Sequence, residues 1–142
     1  MNYLDILHVQ LKIDEGVRAK PYVDTVGKVS IGIGRNLTDV GIDRGEMALM
    51  FANDLADAEE AARRLMPGFD RLSDARKAVL VNMAFNMGET VLGGFQNTLA
   101  AIREGRYDDA ARGMLASKWA TQVGARSQRL AQTMQTNVWE AP

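Results

Sequence analysis

Two carboxylates stand nine residues apart near the start of the chain, Glu15 and Asp24, in the stretch EGVRAKPYVDTVGKVSIGIGRN. A pair of carboxyl groups suits glycoside hydrolysis, in which one protonated acid serves the leaving oxygen and one carboxylate handles water or the oxocarbenium-like centre. The spacing alone is weak support, because a chain with 18 acidic residues contains many such pairs. The pair predicts catalysis only if the fold lets the two side chains face each other.

The same stretch contains Gly32 and Gly34 in the segment GIGRN, which raises the possibility of a phosphate-binding loop. A dinucleotide fingerprint also needs a third glycine, a helix that opens from the loop and a βαβ unit, and the sequence has none of these. Glycines in a strand more often mark a place where another backbone or a ligand approaches closely. We therefore expect a close approach here and no phosphate site.

The elements that position these residues follow from the hydrophobic spacing and from the capping residues. Leucines recur at helical spacing in YLDILHVQL, after Asn2 as the N-cap and before Gly16 as the C-terminal stop. Glu15 should therefore lie at the end of a helix. β-Branched and aromatic residues then flank a Val-Gly turn, which predicts a short hairpin that carries Asp24.

From Asp43 onward the pattern is helical. Asp43 and Glu46 have capping-box spacing, and apolar residues continue along one face until Pro67. Further helices are predicted at about 73–87, 95–104, 108–117 and 123–135. The sequence predicts a mostly helical α+β fold in one domain, 1–142, with a small β lobe at about 16–42, a long connecting helix at about 43–66, and a helical lobe at about 67–142 that includes the N-terminal helix.

The composition, with 46% apolar and 25% charged residues, is that of an ordinary globular protein. The absence of cysteine excludes Cys-ligated zinc and thiol catalysis. No apolar run is long enough to span a membrane, and the N-terminus lacks the apolar region of a signal peptide, so we expect no stable membrane insertion and a cytoplasmic location. Residues 1–74 contain nine basic and thirteen acidic residues, whereas residues 75–142 contain eight basic and five acidic residues. The first half of the chain is therefore net acidic and the second half is net basic.

Three segments resemble the phage-type lysozymes of glycoside hydrolase family 24, especially those of T-even phages. The first contains Glu-Gly at a helix end, then YVD and GKVSIGIG; the second is NMAFNMGETVLGGFQNTL; the third is SKWATQVGARSQR. They occur in the family's order and cover most of the chain. The resemblance implies a lysozyme-like, two-lobed fold and muramidase activity on the β-1,4 bond between N-acetylmuramic acid and N-acetylglucosamine, with inversion at the anomeric carbon.

The resemblance also implies roles for individual residues. Glu15 matches the general acid, Asp24 the carboxylate that orients the attacking water, and Ser30 a hydroxyl that holds this water from the other side. The matching positions that line the sugar cleft are Phe85, Asn86 and Thr98, together with Arg126, whose counterpart faces the catalytic glutamate; Asn36 is a weaker candidate. No metal and no cofactor are expected.

The chain departs from the family pattern at two positions in the first segment. Ser30 stands where many relatives have threonine, and Arg35 stands where they have a histidine that pairs with an aspartate of the long helix. The matching aspartate is Asp54, so an Arg35–Asp54 ion pair is predicted. The segment NLTDVGIDRGE is also shorter than in the T-even members, which affects the far wall of the cleft.

Three aromatic or ionisable side chains could take on functional roles, but ordinary structural roles are favoured for them. His8 could be a base or a ligand, but a lone histidine without a partner motif is more often structural or solvated. Trp119 and Trp139 could stack on sugars, but buried aromatic residues dominate helical cores, and we expect both to pack in the core.

The resemblance implies a phage or prophage endolysin that acts as a monomer on peptidoglycan glycan strands. It would stay in the host cytoplasm until a holin releases it to the periplasm and cell wall; a virion-borne role in cell entry is also compatible with the sequence. A lytic transglycosylase, which forms an anhydro product without water, and a catalytically inactive wall-binding module are the competing hypotheses. A helical nucleic-acid binder is disfavoured by the pI of about 5.8 and the scattered arginines.

Overall fold

A computed structural model describes residues 1–139 and 141–142 of the chain. The chain divides into two compact units, residues 1–49 and residues 50–142.

The first unit begins with helix α1, Tyr3–Glu15. The Asn2 side chain accepts hydrogen bonds from the backbone N–H groups of Leu4 and Asp5, and the Asp5 carboxylate accepts one from the backbone N–H of Asn2. This reciprocal capping box fixes where the helix starts. The helix ends at Gly16, whose φ of 79° lies in a region that favours glycine. Glu15 is therefore the last helical residue, in agreement with the prediction from the sequence.

A three-stranded antiparallel sheet follows, with strands β1 (Arg18–Val23), β2 (Val29–Gly32) and β3 (Arg35–Asn36) in that order. The pairing of β1 with β2 shifts register between Arg18 and Tyr22. Pro21 lies in the shifted segment, where a residue without a backbone N–H is tolerated. The sequence predicts only a two-stranded hairpin, because the two residues of the third strand give no periodic signal.

Helix α2, Arg44–Leu65, starts in the first unit and continues into the second. Its start is fixed by the predicted capping box, in which the Asp43 carboxylate accepts the backbone N–H of Glu46 at 2.8 Å and the Glu46 carboxylate accepts that of Asp43 at 3.2 Å. Pro67 follows two residues after the end of the helix. The long helix predicted from the sequence is confirmed.

The described part of the second unit contains, after the end of α2, a 3₁₀ turn at Phe69–Arg71 and six helices: α3 (Asp74–Met87), α4 (Glu89–Gly93), α5 (Gln96–Arg103), α6 (Tyr107–Leu115), α7 (Lys118–Val123) and α8 (Ala125–Thr136). Helix α6 packs against α5 and α8, and α3 packs against α8. Ser73 and Ser117 cap α3 and α7 through their hydroxyls. Gly124 separates α7 from α8. The sequence predicts a helix at about 123–135, which corresponds to α8, and it does not predict α7.

The apolar core lies in the second unit. Its largest fully buried side chains are those of Met66, Val79, Leu80, Met83, Leu92, Ile102, Met114 and Met134. Among the residues described, the first unit contributes no buried apolar side chain, and its one buried residue is Ser30, which is 4% exposed. Backbone pairing, caps, turns and ion pairs such as Arg35–Glu46 therefore contribute to the cohesion of the first unit in place of a buried apolar core.

The predicted fold class, a mostly helical α+β protein, is confirmed by this element order. The predicted lobe boundaries stay a prediction. In the part of the chain that the structure describes, every helix is too short or too polar to cross a membrane.

Candidate active site

Glu15 places its side chain beside the turn that joins β2 to β3. A Cβ added at Gly34 in ideal geometry would lie 2.7 Å from Oε2 of Glu15 and 3.0 Å from its Cδ. The carboxyl group thus lies directly against the backbone of Gly34. Glu15 is otherwise exposed, and within residues 1–49 no group forms a hydrogen bond or an ion pair with its carboxylate.

Asp24 is the first residue after β1, and its carboxylate closes the turn to β2. Oδ1 accepts the backbone N–H groups of Val26 at 3.0 Å and Lys28 at 2.9 Å. The backbone N–H of Asp24 in turn donates to the carbonyl of Lys28 at 2.8 Å. Aspartate favours such turns because its short side chain reaches the backbone two residues on. One carboxylate oxygen is thereby fixed, and among the described residues Oδ2 has no partner.

Ser30 lies in β2, directly opposite Tyr22 of β1 and Asn36 of β3. Residues directly opposite each other project from the same face of a sheet, so these three side chains share one face. Among the described residues, no group forms a hydrogen bond with the Ser30 hydroxyl. Every completely enclosed side-chain oxygen or nitrogen among these residues does have a partner, so the unpaired Ser30 oxygen is not completely enclosed. The hydroxyl of this buried residue is therefore reachable by a small molecule such as water.

The Asn36 side chain is engaged in a turn. Its Oδ1 accepts the backbone N–H of Asp39 at 2.9 Å, and its Nδ2 donates to Oδ2 of Asp39 at 3.1 Å. These bonds order the segment between β3 and α2. A role in sugar binding stays a prediction for Asn36.

Arg35 forms an ion pair within the first unit. Its guanidinium donates to both carboxylate oxygens of Glu46, at 2.7 and 2.8 Å, and to the carbonyl of Gly41 at 3.2 Å. The partner predicted from the sequence is Asp54, which lies in the second unit, so that ion pair stays a prediction, whereas the pairing of Arg35 with Glu46 was not predicted. The segment between β3 and α2 is short, and it places Arg35 beside the first turn of α2, where Glu46 lies.

In the second unit, Arg126 of α8 is held by Asn82 of α3. Its Nε and one terminal nitrogen donate to the same Oδ1 of Asn82, at 3.0 and 2.7 Å. Arg126 is half-buried. The Asn82 carbonyl therefore orients a guanidinium that the sequence singles out, although Asn82 itself is not predicted as a functional residue.

Asn86 of α3 accepts the indole N–H of Trp119 at 2.8 Å. Trp119 is 4% exposed and packs edge-on against Phe95, with the ring centroids 6.4 Å apart. The prediction that Trp119 packs in the core is confirmed. Trp139, which lies beyond the end of α8, is 66% exposed, so the same prediction for this residue is wrong.

Phe85 and Thr98 line separate open cavities of the second unit. Phe85 is 43% exposed and meets Phe51 edge-on, with the centroids 5.9 Å apart. Its cavity, about 360 Å³, is also lined by Arg64 and Glu89, which pair through two hydrogen bonds that hold the pKa of Glu89 below its usual range. Thr98 lies in a cavity of about 300 Å³, where its Oγ1 occupies the space that a side chain at Gly113 would take.

His8 is exposed on α1, which agrees with the solvated role expected for it. Among residues 1–139 and 141–142 there is no cluster of three or more His, Asp or Glu side chains that could hold a metal ion.

Sequence reasoning does not identify Gly34 and Asn82 as residues that restrain Glu15 and Arg126. For Gly34 there is a signal, since the glycine pair in the strand pattern indicates a close approach without indicating what approaches. Asn82 begins the second of the segments that resemble the family, but its pairing with Arg126 has no sequence signal, because the two residues lie 44 positions apart.

Comparisons of the sequence with known proteins identify related proteins. A sequence model of the phage lysozyme family matches residues 12–135. The chain is similar to a probable T4-type lysozyme 2 of Dictyostelium discoideum, with 28% identity over 89% of this chain and 91% of that protein. It is 27% identical to the pre-baseplate central spike protein Gp5 of Enterobacteria phage T4, over 92% of this chain and 28% of that protein. It is 30% identical to peptidoglycan hydrolase gp36 of Pseudomonas phage phiKMV, over 84% of this chain and 14% of that protein.

The family match covers both units and includes Glu15, Asp24, Ser30 and Arg126. Because it extends over most of the sequence, this chain belongs to the phage lysozyme family.

Proposed function

We propose that the chain is a peptidoglycan hydrolase that cuts the β-1,4 bond between N-acetylmuramic acid and N-acetylglucosamine by an inverting mechanism. Family membership supports the class of reaction, and one relative is itself named a peptidoglycan hydrolase. The observation that carries the mechanism is the state of Asp24, which has one carboxylate oxygen fixed by two backbone N–H groups and the other without a partner among the described residues. Such a carboxylate is preorganised to receive a water molecule.

In this mechanism Glu15 carries a proton and donates it to the glycosidic oxygen as the bond to the anomeric carbon breaks. Water attacks the anomeric carbon from the opposite face, and its released proton passes to Asp24. Ser30 gives the water a second hydrogen-bond partner, because a hydroxyl can donate or accept. No covalent bond forms between the enzyme and the sugar.

In biological terms we propose an endolysin that degrades the wall of the host from within after a holin has breached the membrane. This assignment rests on the sequence resemblance and on the family match.

Digestion of purified sacculi tests the reaction. We expect new reducing ends on N-acetylmuramic acid, detected by mass spectrometry after borohydride reduction. Anhydro ends in their place would instead identify a lytic transglycosylase, and retention on the sacculi without any cleavage would identify an inactive binding module.

Replacement of Glu15 by glutamine tests the general acid. An amide cannot deliver the proton that a carboxylic acid delivers, so Glu15→Gln should lower kcat at least about a hundredfold while the protein stays folded. Far-UV circular dichroism and a thermal melt provide the folding control. A folded Glu15→Gln variant that cleaves sacculi at the wild-type rate contradicts the mechanism.

The stereochemical outcome tests the role of Asp24. Inversion requires the carboxyl groups of Glu15 and Asp24 to be separated by roughly 6.5–9.5 Å, which leaves room for water, whereas a retaining pair lies about 5 Å apart. Proton NMR of freshly cleaved glycan should show the α-anomer first. An initial excess of the β-anomer would mean that Asp24 forms a covalent intermediate.

A further inference from the structure

Gly34 lies against the one side chain that the proposed reaction requires to be protonated. A Cβ at position 34 would lie 2.7, 3.0 and 3.1 Å from Oε2, Cδ and Cγ of Glu15. Non-bonded heavy atoms rest at about 3.5–4.0 Å, so any side chain at position 34 would overlap the carboxyl group where it now lies. The space that the Glu15 carboxyl occupies therefore exists because residue 34 has no side chain.

Gly32 provides an internal comparison, because it is a glycine of the same segment with the same backbone demand. The φ angles are +71° at Gly32 and +69° at Gly34, a region that disfavours other residues at both positions. A Cβ at Gly32, however, would meet nothing within 4 Å. The two positions thus share the requirement for a positive φ and differ in their contact with Glu15.

We propose that Gly34 is a positioning residue for the reaction: the absence of a side chain at this position sets where the Glu15 carboxyl stands, and so where its proton meets the glycosidic oxygen. This inference rests on the proposed function, in which Glu15 is the general acid.

The carboxyl group, and not the turn, should give way when a side chain is added at position 34. Gly34 lies between paired strands, since Ser30 faces Asn36 and Ile31 faces Arg35. The Glu15 carboxyl lies at the end of a flexible side chain, and within residues 1–49 no hydrogen bond or ion pair holds it. Rotation about its χ angles relieves the overlap at little cost, so we expect the fold to persist while the acid moves.

The test compares Gly34→Ala with Gly32→Ala. Both variants suffer the same backbone strain, so their melting temperatures should fall by similar amounts. Kinetics on soluble glycan strands should differ: relative to Gly32→Ala, Gly34→Ala should lower kcat at least about tenfold, because a misplacement of about 1 Å costs rate steeply. KM should stay within about threefold, since the displaced group acts on the transition state.

A second comparison in the Glu15→Gln background separates positioning from a general structural effect. When the acid is already lost, Gly34→Ala should reduce the residual rate no more than Gly32→Ala does, because residues that act as a unit are not additive. Equal kcat values for the two alanine variants of the wild-type enzyme would overturn the inference. So would a further loss of about tenfold from Gly34→Ala in the Glu15→Gln background.

If Gly34→Ala fails to fold, the same pair of measurements is made with Gly34→Asn and Gly32→Asn, since asparagine tolerates a positive φ better than alanine. Failure of the proposed function gives a different result from failure of this inference. In the first case Glu15→Gln retains wild-type cleavage; in the second Glu15→Gln is impaired but the two glycine variants behave alike.

Discussion

At the scale of single residues, two side chains of the first unit, one in a turn and one in a strand, are preorganised in different ways. Asp24 is held by hydrogen bonds from the backbone N–H groups of Val26 and Lys28, which leave one oxygen without a partner among the described residues. Ser30 is held by burial in the central strand, with its hydroxyl unpaired among those residues. The fixed carboxylate can accept one hydrogen bond from a water molecule, and the rotatable hydroxyl can form a second hydrogen bond with the same water.

Removing or replacing the Ser30 hydroxyl tests this arrangement. Ser30→Ala should fold normally and lose on the order of tenfold or more in kcat, because positioning of the nucleophile contributes strongly to rate. Ser30→Thr should keep or modestly raise kcat, since the hydroxyl remains and the added methyl restricts χ1. The measurement is turnover of soluble glycan strands, with circular dichroism as the folding control. If Ser30→Ala changes the thermal stability but leaves kcat unchanged, Ser30 does not belong to the site.

At the scale of elements, the start of α2 joins a helix cap to a strand. Glu46 caps the backbone N–H of Asp43 and also binds the guanidinium of Arg35, which lies in β3. One carboxylate thus ties the first turn of the helix to the sheet. Arginine suits this position because it stays charged across the working pH range and donates strong, charge-assisted hydrogen bonds to a carboxylate.

The cap gives a testable dependence of stability on pH. The pKa of Asp43 is lowered, first by its hydrogen bond from the backbone N–H of Glu46. A carboxylate whose pKa is lower in the folded state stabilises the fold above its unfolded pKa, about 4, and loses this contribution as the pH falls through the folded value.

Thermal melts between about pH 2 and pH 7 should therefore show that wild type loses more stability at acidic pH than Asp43→Asn, which caps the helix without a titrating group. Asp43→Ala should lower Tm by a few degrees at neutral pH, because it removes the cap. Identical profiles of Tm against pH for wild type and Asp43→Asn would show that the Asp43 carboxylate does not contribute to the pH dependence of stability.

At the scale of the whole molecule, apolar burial is distributed unequally. The second unit holds the buried methionines, leucines and other apolar side chains, whereas the described part of the first unit buries only Ser30. Because burial of apolar surface is the main favourable term in folding, local stability should follow this distribution.

Native-state hydrogen exchange can measure this difference. The amides of β2 and β3 should exchange at least about tenfold faster than those of the buried face of α3, because their opening exposes little apolar surface. Assignment by two-dimensional NMR resolves the individual amides. Equal protection in the sheet and in α3 would show that the two units open together.

A core substitution provides the second test at this scale. Met83 is 0% exposed, so Met83→Ala should destabilise the protein by about 2–5 kcal/mol through lost apolar burial and the cavity left behind. The matched control, Val26→Ala in the exposed turn, should stay within about 0.5 kcal/mol of wild type. Urea denaturation measures the change in the free energy of unfolding for both variants, and an unchanged m-value is the condition for this comparison.

The sequence by itself determined the features that depend on local interactions. The N-cap at Asn2, the stop at Gly16 and the capping box at Asp43 are predictable because each is formed by residues within four positions of one another. They place Glu15 at the end of a helix and Asp24 in a turn, and the family motifs identify these two residues as the candidates for catalysis. Their catalytic roles stay predictions, to be tested by Glu15→Gln and by the anomeric configuration of the product.

Only the tertiary structure decided which residues restrain the candidate groups. Arg35 binds Glu46, Asn82 orients Arg126, and Gly34 provides the space for Glu15. Each of these contacts joins residues that are 11 to 44 positions apart. A partner at such a distance is selected by the paths of strands and helices in three dimensions, and no periodicity or capping pattern in the sequence encodes it.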